Sequence, residues 1–152
     1  GGCGGGVSVA GEGSAIVVGN VDRHVGGGAG AVFTRGGGAW TEQQVLAESG
    51  GGGGMLGEAV ALSAEGNTLG VGAIPGDVGG ASQQGSATVF TRNGGTWTEQ
   101  QILTQSDGAA NDWFGWSVAI SGDTALVGAP SDVYNCCVSG SAYVCLGRAR
   151  AA

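Results

Sequence analysis

Residues 31–48 read AVFTRGGGAWTEQQVLAE, and residues 88–105 read TVFTRNGGTWTEQQILTQ. The second stretch is a copy of the first, shifted by 57 positions, with 12 of 18 residues identical. In each copy two runs with alternating apolar and polar residues flank a glycine-rich turn, which is the pattern of a β-hairpin. Repetition at this spacing predicts a chain built from recurring β-units.

A second unit recurs three times along the chain. It reads VAGEGSAIVVGN from Val9, VALSAEGNTLGVGA from Val60 and VAISGDTALVGA from Val118. In the third copy two short β-rich runs flank Gly122-Asp123, a pair suited to a tight turn because glycine accepts a positive φ. The unit is therefore predicted to be a second hairpin.

One full repeat contains four short strands, with the sequences SVAIS, TALVGA, SATVFTR and WTEQQIL. Residues 140–147, GSAYVCLG, are a third copy of the VFT strand, so the recurrences predict 11 strands in all. A meander of four antiparallel strands of this length is the unit of a β-propeller blade. The predicted fold class is all-β, with β-propeller-like blades of four short antiparallel strands.

The repeats divide the chain into about two and a half to three blades. Their approximate bounds are 5–49, 50–106 and 107–146, followed by an irregular tail at 147–152, and residues 1–152 form one such segment. A closed propeller has about four to eight blades, so an incomplete propeller is expected. Its open blade faces would leave apolar surface uncovered, and we expect self-association through them.

Glycine and proline together make up a quarter of the chain, at 36 and 2 of 152 residues. Such a content is also found in low-complexity and disordered chains. Many of these glycines, however, fall at equivalent positions of the repeat, as Gly72 and Gly128 do. These glycines are therefore interpreted as recurring structural positions of a β-fold with many hairpins.

The charge and hydropathy of the chain argue against two classes of partner. The formal net charge is −7, with 12 acidic residues, five arginines and no lysine. Without a basic cluster the chain lacks the electrostatic footprint of a nucleic-acid-binding protein. No stretch approaches the roughly 20 apolar residues of a membrane span. We expect neither nucleic-acid binding nor membrane insertion.

The third repeat resembles a known family. Residues 112–119 read DWFGWSVA and are followed by LVGAP at 126–130, which is similar to the FG-GAP repeat of integrin α-subunit propellers and their bacterial relatives. The motif covers Phe114, Gly115, Gly128, Ala129 and Pro130. The resemblance implies a structural role for these five residues and a secreted or cell-surface location for the protein.

The resemblance also implies calcium as a candidate cofactor. Blades of this kind often carry an Asp-x-Asp-x-Asp-Gly loop, and Ca²⁺ takes six to eight oxygen ligands. That loop is missing here, and the nearest acidic group is Asp107, Asn111 and Asp112. Turn and capping roles also account for such residues in glycine-rich loops. No cofactor is expected to be required, and Ca²⁺ at these three residues remains a candidate.

No catalytic constellation stands out, and the expectation is a protein without enzymatic activity. Residues 52–57 match G-x-G-x-x-G only because they continue a run of glycines, with no strand before them and no helix after them. The single histidine, His24, lies beside Asp22 and Arg23 in a glycine-rich loop, and no G-x-S-x-G motif is present. A solvated loop explains this trio more simply than a general base does.

The four cysteines lie only at the two ends of the chain, at Cys3, Cys136, Cys137 and Cys145. Two interpretations stay open. The thiols can be reduced and fill small core positions, or one long-range disulfide can join Cys3 to a C-terminal cysteine. The C-x-x-C spacing of zinc sites is missing.

Aromatic residues are the candidates for ligand binding. Trp113, Phe114 and Trp116 precede the first strand of the third repeat, and Phe114, at the FG position, is predicted to lie between blades. Trp113 and Trp116 are then free to stack on a sugar or anchor a protein. The leading hypothesis is a binding or adhesion module for protein or glycan ligands. Two alternatives are a substrate-positioning scaffold within a larger extracellular enzyme and a purely structural repeat array.

Overall fold

The computed structural model describes residues 5–10, 12–20, 28–49, 55–74, 83–134 and 137–146. The regular secondary structure in those ranges consists of β-strands alone, which confirms the predicted all-β class. Eleven of the described strands form three antiparallel sheets, as the recurrences predicted. We call these sheets blades 1, 2 and 3 in chain order.

Blades 1 and 2 are four-stranded meanders in which neighbours in sequence pair with each other. Blade 1 contains β1 (Val7–Val9), β2 (Ala15–Asn20), β3 (Ala29–Gly36) and β4 (Ala39–Leu46). Blade 2 contains β5 (Leu56–Leu62), β6 (Thr68–Ala73), β7 (Ser86–Asn93) and β8 (Thr96–Leu103).

Blade 3 has three strands in the described part of the chain. They are β9 (Ser117–Ser121), β10 (Thr124–Ala129) and β13 (Ser141–Leu146), in the order β13-β10-β9. Between β10 and β13 a small hairpin is formed by β11 (Val133–Tyr134) and β12 (Cys137–Val138). The sequence did not predict this hairpin, because strands of two residues are too short to show an alternating pattern. The tail at 147–152 lies outside the described residues.

The turns follow from the glycines that the sequence places in them. Gly37 and Gly38 between β3 and β4, and Gly94 and Gly95 between β7 and β8, all have φ between 58° and 94°. Two consecutive residues with positive φ make the tight turn that matches the twist of a hairpin. The NGG and GGG sequences therefore fix the registers of these two hairpins.

The blades stack face to face. Because successive side chains of a strand point to opposite faces of its sheet, a strand of blade 2 contacts blade 1 with one set of residues and blade 3 with the other. In β6, Leu69, Val71 and Ala73 are fully buried in the core between blades 1 and 2. The glycines between them face blade 3, where a Cβ on Gly70 would lie 2.7 Å from a methyl group of Val118. One face of β6 thus packs against blade 1 with large side chains, and on the other face the glycines allow blade 3 to approach the backbone of β6 closely.

A glycine slot recurs at each interface between blades. A Cβ on Gly19 of blade 1 would collide with the carbonyl oxygen of Gly57, and a Cβ on Gly72 of blade 2 would collide with that of Gly115. Gly57 and Gly115, the glycines of the FG position, have φ of 110° and 98°. At each of these two interfaces, a carbonyl group of the later blade therefore enters a space in the preceding blade. That space is open only because the residue there is glycine.

The outer strands of blades 1 and 2 are joined by side-chain hydrogen bonds. The Gln44 amide donates to the carbonyl of Trp97 at 2.9 Å and accepts from the Trp97 N–H at 2.9 Å. The neighbouring Gln43 donates to the Gly95 carbonyl at 2.6 Å. The two glutamines of the WTEQQ segment thus bind the backbone at the start of the equivalent segment, and in the turn before it, in the next blade.

The glycine slot can be tested by adding one methyl group. Gly72→Ala forces a Cβ against the Gly115 carbonyl and is expected to lower the free energy of unfolding by about 3 kcal/mol, near the top of the range for overpacked cores. The equivalent Gly128→Ala meets mainly the Ser117 hydroxyl, which can rotate away. A loss below about 1 kcal/mol is expected there. Urea denaturation in dilute solution measures both, and equal losses would contradict the slot.

Candidate functional site

The loop that leads into blade 3 ends in a four-residue turn, Trp113 to Trp116. The Trp116 N–H donates to the Trp113 carbonyl at 3.2 Å and closes the turn. Phe114 is fully buried, its N–H donates to the Gln84 carbonyl at 2.7 Å, and its ring meets the edge of Tyr143 with centroids 5.5 Å apart. Phe114 therefore anchors the turn between blades 2 and 3.

The turn brings the two candidate tryptophans together. The rings of Trp113 and Trp116 are stacked, with centroids 5.5 Å apart and planes inclined by 15°. Trp113 is half-buried, whereas 47% of the Trp116 surface is exposed. Of the site residues that the sequence suggested, these two form a common surface, which we call the tryptophan pair.

The backbone beneath the tryptophan pair is strained. Asn111 and Trp113 have φ of 70° and 58°, in the left-handed region. Asparagine visits this region with little difficulty, but a bulky residue such as tryptophan is an outlier there. Such a conformation costs on the order of 1–3 kcal/mol, and residues of this kind cluster at functional sites.

The repeat itself does not require the tryptophan pair. In blade 2 the equivalent turn reads Met55-Leu56-Gly57-Glu58, so Met55 and Glu58 take the places of the two tryptophans. Leu56 is buried as Phe114 is, and Gly57 has a positive φ as Gly115 does. The fold needs the apolar anchor and the glycine, whereas the flanking tryptophans are particular to blade 3.

The GAP part of the motif lies on β10 and just after it. The Gly115 N–H donates to the Gly128 carbonyl at 3.1 Å, which joins the two halves of the motif. Ala129 is fully buried, and Pro130 is exposed in the turn that follows. These residues shape the blade and present no reactive group.

Two of the three candidate calcium ligands are hydrogen-bonded within the protein, and the third is exposed. A carboxylate oxygen of Asp112, which is 2% exposed, accepts from the Ala109 N–H at 2.6 Å. Asp107 bonds to the Tyr143 hydroxyl at 3.2 Å, and Asn111 is exposed. Among the described residues no three His, Cys, Asp or Glu side chains form a group that could hold a metal ion. This arrangement does not fit a cage of six to eight oxygens.

A polar cluster around Tyr143 is a feature that the sequence did not predict. The hydroxyl of Tyr143 accepts from the Gln105 amide at 2.9 Å and lies 3.0 Å from Asp132 and 3.2 Å from Asp107. Burial raises the pKa of Tyr143, and the two carboxylates raise it further, against a lowering by Gln105. The only sequence signal was a tyrosine in the place of Thr88. The cluster ties β13 to the loop that carries the tryptophan pair.

Cys145 is a free cysteine and half-buried, and burial raises the pKa of its thiol. It takes the place of Phe90 and packs in the core of blades 2 and 3. Cys3 and Cys136, and with them a disulfide between the chain ends, lie outside the described residues, as does His24. In the part of the chain that the structure describes, no helix is long and apolar enough to cross a membrane.

Comparison with known proteins agrees with this geometry. A family model for the FG-GAP repeat matches residues 97–145, which run from the outer strand of blade 2 through blade 3 to Cys145. A search of curated proteins finds no match to the chain. Blade 3, with Phe114 in the core and Gly115 bonded to Gly128, supplies the structural counterpart of that match. The chain therefore contains an FG-GAP repeat at residues 97–145.

Proposed function

We propose that the protein is a non-enzymatic binding module whose tryptophan pair is the contact site for a protein or glycan ligand. The observation that carries the proposal is the stacked, partly exposed pair of Trp113 and Trp116 on a strained turn. The equivalent turn of blade 2 holds the same backbone role without either tryptophan. Selection for the fold alone therefore does not account for the pair.

A stacked pair of indoles is a suitable contact for either class of ligand. Tryptophan combines a large apolar face with an N–H donor and loses little side-chain entropy on binding, so it is enriched where binding energy concentrates. The flat face of an indole also matches the C–H face of a sugar ring.

The turn holds the pair in place before a ligand arrives. Phe114 is locked between blades, Asp112 accepts from Ala109 on the N-terminal side, and Gly115 is bonded to β10 on the C-terminal side. Because the contact residues are already ordered, little conformational entropy is lost on binding. The free-energy cost of the strained backbone at Trp113 is thus part of folding and does not reduce the free energy of binding.

The proposed location is outside the cell or at its surface. FG-GAP repeats usually occur in extracellular proteins, and the chain contains one at 97–145. A surface with 12 acidic residues and no lysine is in keeping with a soluble adhesion module. Protein and glycan ligands are both accessible there.

Removing one indole tests the proposed site. Trp116→Ala is expected to weaken binding at least about 30-fold, the loss of about 2 kcal/mol typical of a binding hot spot. Its exposed side chain contributes little to the core, so the unfolding free energy should change by less than about 1 kcal/mol. Ligands are first identified by screening the chain on glycan arrays and matrix-protein panels, and affinities are then measured by calorimetry.

The matched control is Trp40→Ala, which removes an indole of similar exposure, 43%, from blade 1. Binding by this variant should equal that of the unmodified chain. If Trp116→Ala binds as tightly as the control, the tryptophan pair is not the site. If the unmodified chain binds nothing in either panel, the purely structural array is favoured instead.

Binding is proposed not to depend on calcium, because Asp107 and Asp112 are each engaged by donors of the protein. A ligand that binds only the folded state raises the melting temperature by mass action. Scanning calorimetry with millimolar Ca²⁺ and with EDTA should therefore give the same melting temperature. A clear rise with Ca²⁺ that is lost in Asp107→Asn would contradict this, and Mg²⁺ serves as the control for ionic strength.

A further inference from the structure

Seven large apolar side chains are exposed in the described part of the chain, and six of them lie on two sheet faces. Four are on the outer face of blade 1, which we call the head face: Val7, Val9, Trp40 and Val45. Two are on the outer face of blade 3, which we call the tail face: Leu126 and Val144. The seventh is Trp116 of the tryptophan pair.

The pairing of strands fixes the direction of the head face. The Ser8 hydroxyl accepts a hydrogen bond from Leu62 of blade 2 at 3.0 Å, so the flanking Val7 and Val9 point away from blade 2. Val9 is paired with Ile16, which is paired with Phe33, and these side chains therefore share the face. The head face is therefore apolar across β1, β2 and β3 at these paired positions.

The tail face is fixed in the same way. Val127 packs in the core shared with blade 2, so its neighbours Leu126 and Gly128 point away from it. Leu126 is paired with Ala119 on β9 and with Val144 on β13. The tail face is therefore small and apolar across its three strands.

The repeat shows what normally covers a head face. Trp97 of blade 2 is equivalent to Trp40, and it is 2% exposed because blade 1 packs over it. Val60 pairs with Val71 as Val7 pairs with Val18, so Val60 is equivalent to Val7, which is 66% exposed, and it packs against the same core. The residue types of the head face are thus those that pack against a preceding blade.

The repeat also shows what normally covers a tail face. Val17 and Val32 of blade 1 are equivalent to Leu126 and Val144, and both are fully buried by blade 2. Gly128 is equivalent to Gly19 and Gly72, which have no Cβ and so leave space for the carbonyl group of the following blade. In the structure, the closest atom to a Cβ on Gly128 would belong to Ser117 of the same blade. The tail face therefore carries a prepared glycine slot for a following blade.

We propose that two copies of the chain associate head to tail, with the tail face of each packed on the head face of the other. The two interfaces inside the chain are the template, because they join the same two kinds of face. A contact between unlike faces closes into a ring or grows into a filament. Three blades from each of two copies make six, within the range of about four to eight for a closed propeller. This association is separate from ligand binding at the tryptophan pair.

The Gly5 N–H donates to the Gly19 carbonyl as the Gly115 N–H donates to the Gly128 carbonyl, so Gly5 is the counterpart of Gly115 on the head face. The residue equivalent to Leu56 and Phe114 lies outside the described residues. The contact between copies joins two separate molecules, whereas the contacts within the chain join segments of one molecule. Association is therefore expected to depend on concentration, with a monomer in dilute solution and a dimer at higher concentration.

Charge variants of the two faces test the proposal. Val9→Glu blocks the head face, and Val144→Glu, at a site that is 66% exposed, blocks the tail face. Sedimentation velocity over a concentration series should show dimers of the unmodified chain and monomers of each variant. Circular dichroism and melting temperature report whether each variant is folded, and Val7→Glu and Leu126→Glu supply a second pair if one is not.

Mixing the two variants is the decisive step. Val9→Glu keeps an intact tail face and Val144→Glu keeps an intact head face, so an equimolar mixture should form a heterodimer through one contact. Its dissociation constant should exceed that of the unmodified dimer, which has two contacts. Native mass spectrometry of one labelled and one unlabelled variant measures the heterodimer directly.

Two controls complete the test. The double variant, Val9→Glu with Val144→Glu, should stay monomeric alone, and Trp116→Glu, at the exposed apolar residue outside both faces, should dimerise normally. The proposal is overturned if the unmodified chain stays monomeric at its highest soluble concentration, if either folded single variant still dimerises, or if the mixture of variants fails to form a heterodimer.

Discussion

The close approach of successive blades is the constraint on which the rest of this structure depends. At each interface a backbone carbonyl, from Gly57 or Gly115, enters a space that a side chain on Gly19 or Gly72 would fill. Two backbones can come this near only when one residue has no Cβ and the other can adopt a positive φ. The same pair of requirements explains why glycine recurs both at the FG position and at the Gly of the GAP position.

Once the backbones are this close, the remaining packing is largely determined. Within β6, large side chains lie on only one of the two faces, so Leu69 and Val71 face blade 1 while Gly70 faces blade 3. At the rim, where the strands diverge, the gap is filled by the long polar side chains of Gln43 and Gln44. A polar outer strand and a small-residue inner strand are therefore two results of one geometry.

Local signals made most of the fold predictable from the sequence, whereas the environment of individual side chains was not. Turn glycines and alternation act within a few residues, so the hairpins could be placed. Trp40 and Trp97 have similar sequence surroundings, yet Trp97 is buried by blade 1, whereas Trp40 is exposed and no blade of the described residues packs over it. The meeting of Tyr143 with Asp132 depends on loop geometry that carries no periodic signal.

The four-residue turn at 113–116 shows how a structural repeat can present two additional side chains without changing its fold. The second residue, Phe114, and the third, Gly115, satisfy the interface, and they occupy the inward side of the turn. The first and fourth residues are brought together on the other side by the hydrogen bond that closes the turn. Those two positions are free to vary, as Met55 and Glu58 show in blade 2. Any blade of this kind can therefore acquire a pair of adjacent side chains by substitution at these two positions, and the stacked tryptophans of blade 3 are such a pair.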